Sequence, residues 1–358
     1  MLKPLKQIML HSLKQTLAFR ALRDSPWRRR RLLILAYHGL SVDDEHEWNP
    51  LLFMSPTAFR ERMRLLKQSG CAVLPLGEAV ARLYADDLPP RSVVITFDDG
   101  FHNFYEHAAP ILYEYGYPST VYLTTFYCEY NEPICLLSCS YLLWKGRHLI
   151  LEADDLFGFP MPMDLRTSPG REVALKAIRE CIARRGMNVE QQTRLLEELA
   201  RRVNVEWKKF MSRRLLHLMN HEAVAYVSSR GVNVEMHMHS HCSPDDRETY
   251  LRDITENRRR IEDMTGSRPV HFCYPSGNHR PEALSWLQEA GIVSATTCEL
   301  DLASPVDHPL LLPRFLDHSG ISSIEFEGWV TGVGPFLSRR LRRSGSNGDQ
   351  PRKRAYQQ

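Results

Sequence analysis

The chain of 358 residues is 43% hydrophobic, enough to bury a sizeable core as one large domain. Its formal charge of +3 conceals two basic ends on an acidic body: residues 1–31 carry nine Lys/Arg against Asp24, and residues 337–358 carry seven against Asp349. No run approaches the roughly 20 apolar residues of a transmembrane helix. The eight scattered cysteines form no metal knuckles and suit reduced thiols of a cytosolic chain. No base-stacking aromatic motif accompanies the basic ends, so no nucleic acid is expected as a partner.

In chain order, residues 1–30 form a basic amphipathic segment. Leu5, Met9, Leu13 and Leu17 recur at helical spacing, with Lys3, Lys6 and Lys14 largely elsewhere. Two placements fit: a helix packed on the body with a solvated basic face, or a helix in peripheral contact with an anionic membrane. His11, Ser12, Lys14 and Gln15 interrupt the apolar run that a secretory leader needs. The expected location is therefore cytoplasmic or peripheral to the inner face of a membrane.

From residue 31 onward, apolar β-branched runs alternate with helical patterns. The spacing predicts strands over 31–37, 72–76, 92–97 and 120–124, with helices over 56–68, 76–84 and from the Asp98-Asp99-Gly100 turn to about 115. Beyond residue 220 it predicts helices near 222–229, 248–264 and 281–290, and strands over 232–238, 271–274, 293–297 and 310–315. Repeated strand-helix alternation argues for α/β architecture with a parallel sheet, and seven or eight repeats argue for a barrel spanning residues 31–330. Residues 129–220 break the rhythm with Pro160, Pro162, Pro169 and a charged helical pattern. They read as a helical insertion from one strand-to-helix loop, on the face where loops shape a substrate groove. Residues 337–358, polar and rich in Gly, Ser and Arg, read as a disordered basic tail.

Four predicted strand ends carry polar groups: Tyr37-His38-Gly39, Thr96 through Gly100, the stretch VEMHMHSHCS at residues 234–243, and Phe272 through Gly277. In a parallel barrel all C-terminal strand ends face one rim, so residues far apart in sequence converge. Asp98 and Asp99 are adjacent carboxylates that repel unless a cation or hydrogen bonds compensate, although an Asp at a strand end also commonly caps the next helix. Three histidines in five positions are hard to explain by packing, because each buried imidazole needs partners for two nitrogens. Two imidazoles and a carboxylate make the three-ligand set of a catalytic zinc site, with Asp99 as the ligand and Asp98 free to act as base. A continuous strand would place His237, His239 and His241 on one face, whereas a helical turn after Met238 would bring only His237 and His241 together.

Ile95-Thr96-Phe97-Asp98-Asp99-Gly100 and His237-Met238-His239-Ser240-His241 resemble the first two motifs of the polysaccharide deacetylases of the NodB-homology type, carbohydrate esterase family four. Met238 stands where that family places a hydroxyl residue. The resemblance implies a distorted (β/α) barrel of seven or eight strands and hydrolysis of N-acetyl groups on amino sugars, with an N-acetylated glycan as substrate. It implies Asp98 as catalytic base and Asp99, His237 and His241 as ligands of a divalent metal, foremost Zn2+. Tyr37-His38 and Tyr274 through Gly277 are similar to the exopolysaccharide-deacetylating subgroup, which gives His38 the role of general acid and places Tyr274, Pro275 and His239 beside the substrate. Leu312-Pro313-Arg314 is similar to a late element of the same subgroup, making Arg314 the candidate to orient Asp98. Cys273 stands where the third motif offers an Arg, and the late acid His has no clear counterpart, His308 and His318 being nearest. These departures favour an alternative, a catalytically weak metal- and carbohydrate-binding barrel that serves as a membrane scaffold. A rival register, counting from Glu235, would select His239 and leave Ser243 at the second ligand position.

Overall fold

The computed structural model describes residues 2–16 and 18–335. Its core is a curled sheet of short parallel strands: β1 (Leu33–Tyr37), β2 (Ser92–Asp99), β3 (Thr120–Leu123), β4 (Asn233–Met236), β5 (His271–Cys273), β6 (Ser294–Thr296) and β7 (Phe315–Leu316). They lie in the order β6-β5-β4-β3-β2-β1-β7, and the short strand Ala72–Val73 pairs with the start of β2. Residues 312–316 join the two ends of the sheet. Leu312 donates to Ala295 O at 2.9 Å and accepts from Thr297 N at 2.9 Å, while Phe315 pairs with Leu35 of β1. The result is the expected (β/α) barrel of the α/β class.

All five residues of β1 are buried, as in a parallel strand covered on both faces. Alternate residues then separate two environments. Leu33 and Leu35 join the large outer core, where Phe59 and Met63 of the helix Pro56–Gln68 pack. Ile34, Val94, Tyr122, Cys273 and Leu312, from five segments of the ring, meet in a second cluster together with Leu76, Val80 and Leu83 of the helix Leu76–Tyr84. Two residues beyond Val94 and Ile34 along the same faces come Thr96 and Ala36, and two beyond those come Asp98 and His38. The period of two thus carries the catalytic candidates up from an apolar floor.

The helices begin and end at chemically expected places. Ser55 caps the helix Pro56–Gln68, accepting from Ala58 N at 3.2 Å, and Asn220 caps His221–Ser229 in the same way. Asp246 caps Arg247–Thr265, which ends at Gly266 in a left-handed conformation. The segment 126–212, between β3 and β4, folds into helices Phe126–Tyr130, Cys135–Lys145, Ser168–Arg185, Val189–Arg202 and Trp207–Ser212 around a hairpin of Ile150–Leu151 with Met163–Asp164.

Three expectations need correction. The strand predicted over 232–238 stops at Met236, because Met238 adopts a left-handed φ of 65° that no strand continues through. The strand predicted over 310–315 is a 3-10 turn at Pro309–Leu311 followed by the two residues of β7; Pro309 and Pro313 have no N–H to offer a ladder. After Asp98-Asp99-Gly100 the chain first winds as a π-helix, Phe104–Ala108, before the α-helix Ala109–Tyr115.

The N-terminal helix Leu2–Gln15 packs on the body. Leu10 is 1% exposed against Ile324 and Val333, and Lys14 pairs with Glu327, while Met9 of the expected apolar face is 39% exposed. Leu17 and the tail 337–358 lie outside the described residues. No helix among the described residues is long and apolar enough to cross a membrane.

Candidate active site

A pocket at the C-terminal ends of the strands is lined by His38, Leu52, Asp98, Asp99, His237, His241, Ser276 and Cys298. Within it the two adjacent aspartates have separate partners. Asp98 points into the barrel and is gripped by Arg314, whose two terminal nitrogens donate to Oδ1 at 2.7 Å and Oδ2 at 2.8 Å. Asp99 has a φ of 69° and turns to the rim, where Oδ1 lies 3.3 Å from Nε2 of both His237 and His241. Gly100 completes the reversal with a φ of 86°, and a Cβ there would sit 2.2 Å from the Leu123 side chain.

Arg314 is fully buried and reaches across the barrel. It donates to Thr297 O at 3.0 Å, to Thr96 Oγ1 at 3.3 Å and to Cys273 Sγ at 3.1 Å. Burial works against ionising Asp98, but the Arg314 charge and its paired hydrogen bonds prevail, so the carboxyl ionises below its ordinary value. Burial also opposes ionisation of Asp99, yet the His241 charge and hydrogen bonds from both imidazoles hold it well below the usual carboxylate range. Burial pushes the His38 imidazole down from its ordinary value, against the pull of Asp99 and Asp98.

The backbone settles which histidines meet. Met238 and His241 both take left-handed φ values, 65° and 57°, so the chain turns sharply after β4 and brings the His237 and His241 rings to 5.0 Å. The segment is neither a continued strand nor a helix. His239 goes the other way: its Nδ1 meets Thr125 Oγ1 at 2.9 Å, its ring packs on Phe126, and its N–H donates to Asp253 at 2.6 Å. Glu235, the origin of the rival register, accepts from Val270 N and His271 N at 2.8 and 2.6 Å, tying β4 to the start of β5.

Asp99, His237 and His241 each offer one ligand atom, all within 4.8 Å of one another, and their chemistry fits a divalent ion. His237 Nδ1 lies 2.8 Å from Cys273 O. A carbonyl only accepts, so Nδ1 donates to it and Nε2, the nitrogen beside Asp99, is the one that would give up its proton to ligate an ion. Two imidazoles and one carboxylate are the donor set of open zinc sites.

Tyr274, Pro275 and His239, expected beside the substrate, do not line this pocket. Tyr274 is buried, its hydroxyl donating to Leu310 O at 3.0 Å. Neighbouring Ser276, with a φ of 55°, supplies the pocket wall instead. His308 and His318 are also absent from the lining; each accepts a backbone N–H two residues ahead through Nδ1. Sequence reasoning missed Cys298 and Asn257. Cys298 carries no signal of its own. Asn257 does, because it sits three residues after Ile254 and four before Ile261 on the apolar face of Arg247–Thr265. It is fully buried, accepts from His237 N at 3.1 Å, and donates to Leu123 O and Thr125 Oγ1 at 3.1 and 3.0 Å.

The chain is similar to the poly-beta-1,6-N-acetyl-D-glucosamine N-deacetylase of Escherichia coli (strain K12), at 28% identity over 99 residues, 27% of this chain and 14% of that protein. The chain therefore matches about a seventh of that relative's length. Two solved structures share the fold: IcaB from Ammonifex degensii, with a TM-score of 0.52 at 16% identity over 84% of this chain and 97% of that one, and the Streptococcus pyogenes deacetylase PplD in complex with acetate, with a TM-score of 0.51 at 16% identity over 80% and 91%. The family model for polysaccharide deacetylase matches residues 85–295, more than half of the chain and the span that holds Asp98, Asp99, His237 and His241. On that match the chain belongs to the polysaccharide deacetylase family.

Proposed function

We propose that the protein is a metal-dependent hydrolase that removes N-acetyl groups from amino sugars of a polysaccharide or glycan precursor. One observation carries the reading: a single pocket holds a carboxylate locked by Arg314 beside a second carboxylate that gathers two imidazoles. Asp99, His237 and His241 would hold the ion, with Zn2+ the best match to the donors. Such an ion supplies polarisation of the acetamide carbonyl and a lowered water pKa.

The chain's own groups do the rest. Asp98, kept ionised and oriented by Arg314, accepts the proton of the attacking water. His38, in the same pocket, delivers a proton to the departing amine nitrogen. Water adds across the acyl carbon, the C–N bond breaks, and acetate and a free sugar amine leave. Arg314 fills the orienting role that Cys273 leaves open.

Acetate release from N-acetylglucosamine oligomers, with and without a chelator, tests this reading. Asp98→Asn should retain the metal and lose about 100- to 10,000-fold in kcat. Metal-dependent release on no glycan at all would leave the non-catalytic scaffold as the better account.

A further inference from the structure

The two candidate imidazole ligands are held in unequal ways. His237 stands at the end of β4, its side chain 3% exposed, with its ring bonded to Cys273 O at 2.8 Å. The His241 side chain is 34% exposed and comes from the far side of the turn, so its place beside Asp99 follows the turn's conformation. That turn passes through left-handed φ values of 65° at Met238 and 57° at His241, which residues with side chains adopt at a cost. Met238 is fully buried, and its thioether is at best a weak acceptor.

The bracing bonds come from neighbouring segments. On the helix Arg247–Thr265, Asn257 accepts from His237 N at 3.1 Å. Asp253 lies one turn earlier on the same side of that helix. Its half-buried carboxylate accepts from His239 N at 2.6 Å, from Ser240 N at 3.2 Å and from Ser240 Oγ at 2.5 Å. Beyond β3, Phe126 N donates to His239 O at 3.0 Å. One helix thus grips the chain at the first ligand and again midway to the second, and bonds to a carboxylate are shorter and stronger than neutral ones.

Asp253 is not among the residues that line the pocket, so its influence there runs through the backbone. We infer that Asp253 is the positioning residue for the second imidazole: by fixing the turn at His239 and Ser240, its carboxylate sets how close His241 comes to Asp99 and His237. The inference rests on the metal reading above. It also gives the middle histidine a task, because the His239 N–H and C=O tie the turn down, and those backbone bonds survive His239→Ala.

The test measures Zn2+ affinity by equilibrium dialysis, and amide hydrogen exchange, on the full chain. Asp253→Ala should weaken Zn2+ binding about 10- to 100-fold, the usual effect of losing an outer support. Asp253→Asn keeps the outline and one acceptor oxygen and should weaken it about 3- to 10-fold, which preserves the test if the alanine variant does not fold. In a His241→Ala background either change should cost less than about 3-fold, because the group that Asp253 positions is already gone. Unchanged affinity, or the same loss in both backgrounds, overturns the inference and leaves Asp253 a role in folding alone. If the wild type takes up no Zn2+, the metal reading falls and exchange decides: faster exchange confined to the His239 and Ser240 amides upholds the brace, and unchanged exchange there overturns it.

Discussion

Arg314 and Asp98, 216 residues apart in the chain, meet through two hydrogen bonds of 2.7 and 2.8 Å inside the barrel, where their side chains are 0% and 4% exposed. A buried pair of this kind is weak evidence for stability as a pair, but strong evidence that neither member can be lost alone. Removing the arginine would leave an uncompensated carboxylate next to the Cys273 thiol, whose pKa burial already raises.

Arg314→Met should therefore lower unfolding free energy by about 3 to 5 kcal/mol and cut kcat by about 100-fold or more. Arg314→Lys keeps the charge but not the fork, and should recover stability better than activity. Urea unfolding with steady-state kinetics checks both. Wild-type turnover in Arg314→Lys would mean that the paired geometry does not matter.

Metal content separates the three histidines. His237→Ala and His241→Ala should each lose at least about 100-fold in affinity for Zn2+, whereas His239→Ala should keep near-stoichiometric metal because its ring faces Thr125 and Phe126. Equilibrium dialysis followed by elemental analysis reads this directly, and the reverse pattern would restore the register that starts from Glu235.

Asn257 supports His237 from behind through its backbone N–H. Asn257→Leu keeps the branched outline of the side chain and removes three hydrogen bonds, leaving buried groups unmet. It should cost about 2 to 4 kcal/mol and weaken metal binding about 10- to 100-fold, as loss of an outer support does elsewhere. Unchanged metal affinity in a destabilised variant would assign Asn257 to folding alone.

Acid should destabilise the fold through His271. Burial pushes its imidazole from 6.5 down to about 4, while its Nδ1 lies 2.8 Å from Ser294 Oγ. Because the folded value is below the unfolded one, the unfolded chain binds more protons between the two. The contribution is complete above about pH 6.5 and is lost as pH falls towards 4, by on the order of 3 kcal/mol at most. The stability advantage of wild type over His271→Gln should shrink across that window. A constant difference from pH 7 to pH 4 would refute the assignment.

The barrel was legible because its signals are local. The helix limits 56–68 and 76–84 read from periodicity match the structure, and β1, β2 and β3 fall where the apolar runs predict. Boundaries failed where prolines thin the ladder, at 309–313, and where backbone conformation overrides pattern, at Met238. The candidate site was legible as a set of residue types at strand ends. Its division of roles came from donor chemistry and resemblance, whereas the backbone geometry behind it was not legible: the split between Asp98 and Asp99 depends on a positive φ at Asp99, and the outward turn of His239 depends on one at Met238. Arg314 was reached through resemblance rather than spacing; nothing in its neighbourhood signals that it spans the barrel.

The late position of Arg314 has a consequence for folding. The candidate metal-holding trio Asp99, His237 and His241 is complete once β4 and its following turn are in place, but the partner of Asp98 comes only with the segment that closes the ring between β6 and β1. A chain that stops before residue 314 lacks the counter-charge of Asp98 and the segment that closes the ring, and should unfold at lower urea than the full chain. Ring closure and the pairing of Asp98 are therefore one event, because the segment that bridges β6 and β1 also delivers Arg314.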